Sequence, residues 1–239
     1  MTNCISRACR AVALSALALT TLSATSAFPA EPAKPSSALS GIWQAGMPFD
    51  FVDPAKDEMP LTPAGKAKLK EWRDAADSGR PKADSVARCE AFGMPRVMTF
   101  GTFELLETPG QVTLITEILH EVRRIYTDGR KMPADFDASY DGYSTGHWEG
   151  KALVVTTTGL QANTNDQYGV PHTEHLKVLE RIELLDNDTM RDRITLIDPE
   201  VYTRNWTVDR TYKRAKNYEI SEYICNTNGA AIPPSGEVH

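Results

Sequence analysis

From residue 102 onward the chain alternates apolar and polar positions with a period of two, and turn chemistry breaks the alternation at short intervals. The turn signals are Thr108-Pro109-Gly110, Asp128-Gly129, Glu149-Gly150 and Asp186-Asn187-Asp188. The runs between them, rich in Val, Ile, Leu, Thr and Tyr, predict strands at 102–108, 111–118, 121–127, 143–148, 151–158, 175–185, 190–198, 205–213 and 218–225. Roughly nine strands joined by short hairpins, with no helical crossover among them, close into a barrel or fold into a sandwich, and the expected fold is a mainly β, antiparallel β-barrel. Ahead of them, Thr62-Pro63 pairs a capping hydroxyl with proline at the first helical position. That predicts one N-terminal helix running to about residue 76 and ending near Gly79. Stretches 129–142 and 159–174 lack a strand pattern, and loops of such length in a compact domain tend to carry function.

The alternation places charges on apolar faces. Taking every second residue gives Leu176-Val178-Glu180-Ile182-Leu184, Met190-Asp192-Ile194-Leu196, Trp206-Val208-Arg210-Tyr212 and Ile220-Glu222-Ile224. A loop at 187–189 would pair Leu184 with Asp192 and Ile182 with Ile194, keeping the apolar faces together. Glu180, Asp192, Arg210 and Glu222 are therefore predicted to point inward, where an unpaired charge costs several kcal/mol. The earlier strands add Thr116 beside Val112 and Leu114, Arg124 and Tyr126 beside Val122, and Thr157 beside Leu153 and Val155. Two readings fit: an ion-pair network joining Arg124, Arg210 and the acids, or a polar-lined pocket.

The loops supply a second set. Tyr143, Ser144, His147 and Trp148 lie beside the Glu149-Gly150 turn, and Asp166, Tyr168, His172, Glu174 and His175 lie in or just after the second long stretch. Histidine suits proton transfer near neutrality. The candidate catalytic set is His172 or His147 as base, Tyr126 or Tyr143 as acid, and Glu174 orienting them. Arg124, Arg210, Glu180, Asp192, Glu222, Trp148 and Asp166 would bind substrate. His172-Thr173-Glu174-His175 begins a predicted strand, so its two histidines face opposite sides and do not form a metal motif. There is no Gly-rich phosphate loop, dinucleotide fingerprint or nucleophile elbow, and no metal or cofactor is expected.

Residues 1–30 read as a secretory signal peptide. Arg7 and Arg10 precede an uncharged run from Ala11 to Ala24, followed by small residues at cleavage-site spacing up to Ala30. That run is too short to span a bilayer. Residues 31–40 form a Pro/Ser-rich leader, and residues 41–239 a single barrel domain. Removing the signal takes the formal net charge from −6 to −8, which gives no electrostatic attraction to nucleic acid. Cys4 and Cys9 leave with the signal, and the remaining pair, Cys89 and Cys225, is expected to form a disulfide in an oxidising compartment. The expected location is therefore outside the cytoplasm, periplasmic or secreted.

Several segments resemble, in order, a large family of secreted bacterial proteins without an assigned reaction. They are residues 60–65 (PLTPAG), 93–96 (GMPR), 125–130 (IYTDGR), 142–155 (GYSTGHWEGKALVV), 169–174 (GVPHTE) and 198–200 (DPE). Lys151 and Thr156 stand where that resemblance would place aspartates, and His175 where it would place Gln. Separately, Gly41-Ile42-Trp43 ahead of a barrel looks like the opening of lipocalins, which implies a Trp closing one barrel end. Two functions follow as expectations. One is a cofactor-independent acid–base enzyme, a lyase, isomerase or hydrolase, acting on a small hydrophobic or aromatic substrate inside the barrel. The other is a lipocalin-like carrier that binds a small-molecule ligand without chemistry.

Overall fold

A computed structural model describes residues 39–45, 59–78, 85–99, 101–162 and 170–225. The signal peptide and nearly all of the leader lie outside these residues, as do Asp166 and Tyr168. Nine strands close into one barrel in sequence order. They are β1 (Gly41–Ala45), β2 (Thr102–Thr108), β3 (Gln111–Thr116), β4 (Val122–Tyr126), β5 (Tyr143–Glu149), β6 (Ala152–Thr158), β7 (Lys177–Asp186), β8 (Thr189–Ile197) and β9 (Trp206–Arg214). A helix, α1 (Pro63–Asp77), and two short 3₁₀ segments, Val86–Arg88 and Arg96–Thr99, lie between β1 and β2.

Eight of the nine predicted strands form, and the ninth does not: residues 218–225 carry no strand, and β1 completes the ring by pairing with both β2 and β9. The segment 217–225 is instead a strap on the outside. The Glu117 carboxylate accepts from the Tyr218 hydroxyl and the Ser221 amide, and His120 Nε2 accepts from the Tyr223 amide. The barrel is also not purely antiparallel. β4 and β5 run parallel, with Ile125 opposite Ser144, so residues 127–142 must travel the length of the barrel outside it. That is why 129–142 is long and lacks a strand pattern.

The strand directions put the short turns at 109–110, 150–151 and 187–188 at one end, here the lower. The insertion between β1 and β2 and the β6–β7 and β8–β9 connections gather at the upper end. Around the lower part Trp43 is fully buried, its indole N–H donates to the Leu39 carbonyl at 2.8 Å, and the Arg214 guanidinium lies 4.1 Å from its ring centroid. Glycine is required at 41: its φ is +133°, and an added Cβ would stand 2.5 Å from Arg214 Nη1. At the upper end Thr62 caps α1, its hydroxyl accepting from the Gly65 amide at 3.0 Å. The Thr62 amide donates to Val201 and the Thr62 hydroxyl to Glu200, fixing the helix start to the β8–β9 loop.

Parity holds along β7, β8 and β9, with Val178, Glu180, Ile182, Met190, Asp192, Ile194, Leu196, Trp206, Val208, Arg210 and Tyr212 buried; at the first position of β8, Thr189 is buried as well. The register differs from expectation by two residues: Ile182, not Leu184, faces Asp192. A bulge between Leu184 and Asp186, with a tight turn at 187–188, produces this offset, and because it is even the inward set is unchanged. On β4 the parity is reversed. Arg123 and Ile125 are buried, whereas Val122 and Arg124 are exposed.

Cys89 and Cys225 form a disulfide with Cα atoms 5.6 Å apart, joining the first 3₁₀ segment to the end of the strap across a sequence separation of 136 residues. No helix among the described residues is long and apolar enough to cross a membrane. Closing so long a loop restricts the unfolded chain, so Cys89→Ser should lower stability by roughly 2–5 kcal/mol in denaturant titration. The oxidised wild type serves as reference, and reduction should bring it close to the variant.

Candidate functional site in the barrel interior

The centre of the barrel is built on Arg123. Its side chain is 1% exposed and Glu180 is 0% exposed, and both guanidinium termini donate to the Glu180 carboxylate, from Nη1 to Oε1 at 2.8 Å and from Nη2 to Oε2. The remaining donors are also used: Nε donates to Ser144 Oγ at 3.2 Å and Nη2 to Thr157 Oγ1 at 3.0 Å. Those two hydroxyls lie 2.8 Å apart. Burial works against the Arg123 charge, but the Glu180 carboxylate outweighs it and the net pKa is raised. This fork-to-fork geometry is what a buried pair requires to offset desolvation.

Asp192 lies next to this pair and is not matched by it. The residue is fully buried, and among the described residues no donor lies within hydrogen-bonding distance of either carboxylate oxygen. Burial first, and then the negative Glu180 carboxylate, push its pKa well above the ordinary aspartate value, against the pull of Arg123 and Arg210. With no donor on either oxygen, the Asp192 carboxyl has acceptor capacity that the surrounding side chains leave unused. Arg210 sits across the β8–β9 ladder from Asp192 and is buried. Tyr212, also buried, donates its hydroxyl to the Met98 carbonyl at 2.7 Å, and burial together with the Asp192 charge raises its pKa well above 10.

A second carboxyl pair lies towards the upper end. Glu121 accepts from the Phe92 and Gly93 amides at 2.7 and 2.8 Å. Burial and the neighbouring Asp141 carboxyl push its pKa up to about 8, against the effect of those two amides.

The expected site residues divide among three places. Glu180, Asp192 and Arg210 are inside the barrel, and Trp148 is partly buried against the core. Tyr126 and Tyr143 are on the outer side, with ring centroids 5.1 Å apart, beside Phe136 and under Arg130. His147 is exposed on the outer face of β5, 3.3 Å from Glu149, and Arg124 is exposed on β4. His172 is fully buried at the upper end, its Nδ1 2.9 Å from the Thr173 carbonyl. Asp198 holds the same segment by accepting from the Thr173 amide at 2.8 Å and hydroxyl at 3.0 Å. Glu174 and His175 are exposed, and so is Glu222, on the strap rather than in a strand. The anticipated histidine–tyrosine cluster therefore does not form: His147, Tyr126 and Tyr143 lie on the other side of the barrel wall from Arg210. Arg123, Glu121 and Asp141 were not anticipated. The signal for Arg123 was the need of Glu180 for a cation on an adjoining inward face.

Among the described residues no group of three or more His, Cys, Asp or Glu side chains is placed to hold a metal ion. No family model and no curated protein matches the chain, so the resemblance to secreted bacterial proteins stands on its motifs alone.

Two outcomes test this description. Arg123→Met should destabilise by about 3–5 kcal/mol, because it strands the Glu180 carboxylate, whereas Arg123→Met with Glu180→Met should recover most of that loss; paired denaturant titrations measure both. Burial lowers the His172 pKa below 6.5, against the Thr173 carbonyl and Asp198. Its contribution is therefore full above pH 6.5 and lost as pH falls, because only the unfolded chain takes up the proton. Between pH 7 and about pH 5 the wild type should lose roughly 1–2 kcal/mol more stability than His172→Gln. The comparison with the variant removes the opposite contributions of Glu121 and Asp192.

Proposed function

We propose that this protein is an exported small-molecule-binding barrel whose interior receives a compact, largely apolar ligand carrying a hydrogen-bond donor. The observation that supports it most is Asp192, a fully buried carboxyl without a donor for at least one oxygen, set among the apolar side chains of Ile182, Ile194 and Val208. An unsatisfied buried acceptor costs about 1–3 kcal/mol, and a ligand hydroxyl or amide N–H would remove that penalty. Arg123 and Glu180 satisfy one another and so give the site a rigid polar wall. Export rests on the signal-like residues 1–30 together with the Cys89–Cys225 disulfide.

The Glu180–Asp192 pair also favours a second reading, acid–base chemistry without a cofactor. A buried carboxyl whose pKa is pushed well above the ordinary aspartate value is the feature a general acid needs. In that reading Asp192 takes the role expected of His172 or His147.

Phenol and anisole test the binding proposal, since they share an aromatic body and differ in the donor. By protein-observed NMR, phenol should bind at least about tenfold more tightly than anisole, with shifts concentrated on Ile182, Ile194 and Leu153. Asp192→Leu should abolish that preference without lowering stability, because it removes the unmatched polar group. Equal affinities in the wild type, or a preference that survives Asp192→Leu, would contradict the proposal.

A further inference from the structure

We infer that Trp148 closes a side entrance to the barrel interior, at the lower end of the β4–β5 seam, through which a small apolar molecule reaches Asp192. Use of this entrance by a ligand rests on the binding proposal; the entrance itself does not.

The ladders place Trp148 and Asp192 on one inward row. Trp148 lies opposite Leu153, Leu153 opposite Ile182, and Ile182 opposite Asp192. Residues directly opposite in an antiparallel pair share a face, so all four belong to the inner side. At about 4.8 Å per strand the row spans roughly 14 Å of wall. Leu153, Ile182 and Asp192 are at most 1% exposed, whereas Trp148 is only partly buried. An inward indole that still meets water stands where the wall is open.

The seam beside Trp148 accounts for the opening. β4 and β5 pair only through Ile125 with Ser144 and Tyr126 with Thr145. Beyond Tyr126 the chain turns away from β5. The Thr127 amide donates to the Gly110 carbonyl at 2.8 Å, and a Cβ at Gly110 would stand 3.1 Å from that of Asp128. Residues 127–128 are thus held to the β2–β3 turn, and no strand among the described residues pairs with 146–149 on that side. One step above, the wall is tight: a Cβ at Gly146 would lie 3.1 Å from Ile125 Cγ2 and 3.3 Å from Leu153 Cδ1. Below that contact the Trp148 ring is left to separate the row from solvent.

The rest of the barrel is better closed. Met94, Val97, Met98, Leu160, His172 and Val201 lie over the upper end, each at most 1% exposed. Around the lower part Trp43 is fully buried beneath Arg214. Leu184 keeps some exposure there, but it is fixed in the long β7–β8 ladder opposite the fully buried Met190. Trp148 has a ladder on one side alone at its level, so its ring can swing aside with every strand pair intact.

Thiol labelling of the full chain with its disulfide intact tests this, using iodoacetamide and mass spectrometry of the labelled peptides. Ile182→Cys puts a thiol on the row beside Asp192, and Leu196→Cys puts a reference thiol towards the upper end of β8. Trp148→Ala should raise labelling at 182 about tenfold and leave that at 196 within about twofold. Trp148→Leu should give an intermediate rate, and Trp148→Phe one near that of the wild type. Labelling at 182 that ignores both Trp148→Ala and Trp148→Leu, or that rises equally at 196, would overturn the entrance. Phenol exchange followed by NMR then tests its use: Trp148→Ala should speed association and dissociation alike, about tenfold, with affinity changed less than about threefold. Unchanged phenol rates would mean that ligand enters elsewhere. Absence of phenol binding in the wild type would contradict the binding proposal alone, because the labelling needs no ligand.

Discussion

A guanidinium carried into an apolar barrel must meet its counter-charge there, in a geometry that uses every donor, or the fold loses several kcal/mol. Arg123 meets that condition through both oxygens of Glu180, the hydroxyls of Ser144 and Thr157 and the sulfur of Met98. The oxygen partners come from β5, β6 and β7, and β4 reaches them by pairing with β5. The parallel direction of that pair accounts for the long outer crossover.

The same constraint divides the polar residues into matched and unmatched groups. Arg123, Glu180, Ser144 and Thr157 saturate each other and make a fixed wall. Asp192 is left beside that wall buried and without a donor, and it is there that a ligand would gain most. Met98, whose sulfur lies 3.7 Å from Arg123 Nη1, belongs to a segment whose start Glu121 holds by the Phe92 and Gly93 amides.

Much of this architecture was legible as periodicity. The apolar faces of β7, β8 and β9 are long enough that their parity survived even the wrong hairpin register, because a bulge shifted the pairing by two residues. Glu180, Asp192 and Arg210 were correctly placed inside for that reason. β4 misled because it is only five residues long. Val122, Arg124 and Tyr126 offer two hydrophobic-bodied residues, against Ile125 alone beside Arg123, and local hydrophobicity cannot register a partner on β7. The strand expected at 218–225 failed because its alternation, Ile220-Glu222-Ile224, is that of an exposed strap tethered by a disulfide, while the barrel edge it would have occupied is filled by β1. The histidines drew attention for their chemistry, but chemistry alone does not say which side of a barrel wall a residue occupies.

The central claim is that Arg123 and Glu180 form a closed pair and leave Asp192 buried without a donor, its pKa well above that of an ordinary aspartate. The carbon-13 shift of the Asp192 side-chain carboxyl, followed by NMR from acid to alkaline pH, measures this directly. The account predicts a titration midpoint well above the ordinary aspartate range. An ionised shift at pH 7, titrating in the ordinary range of an aspartate, would contradict it.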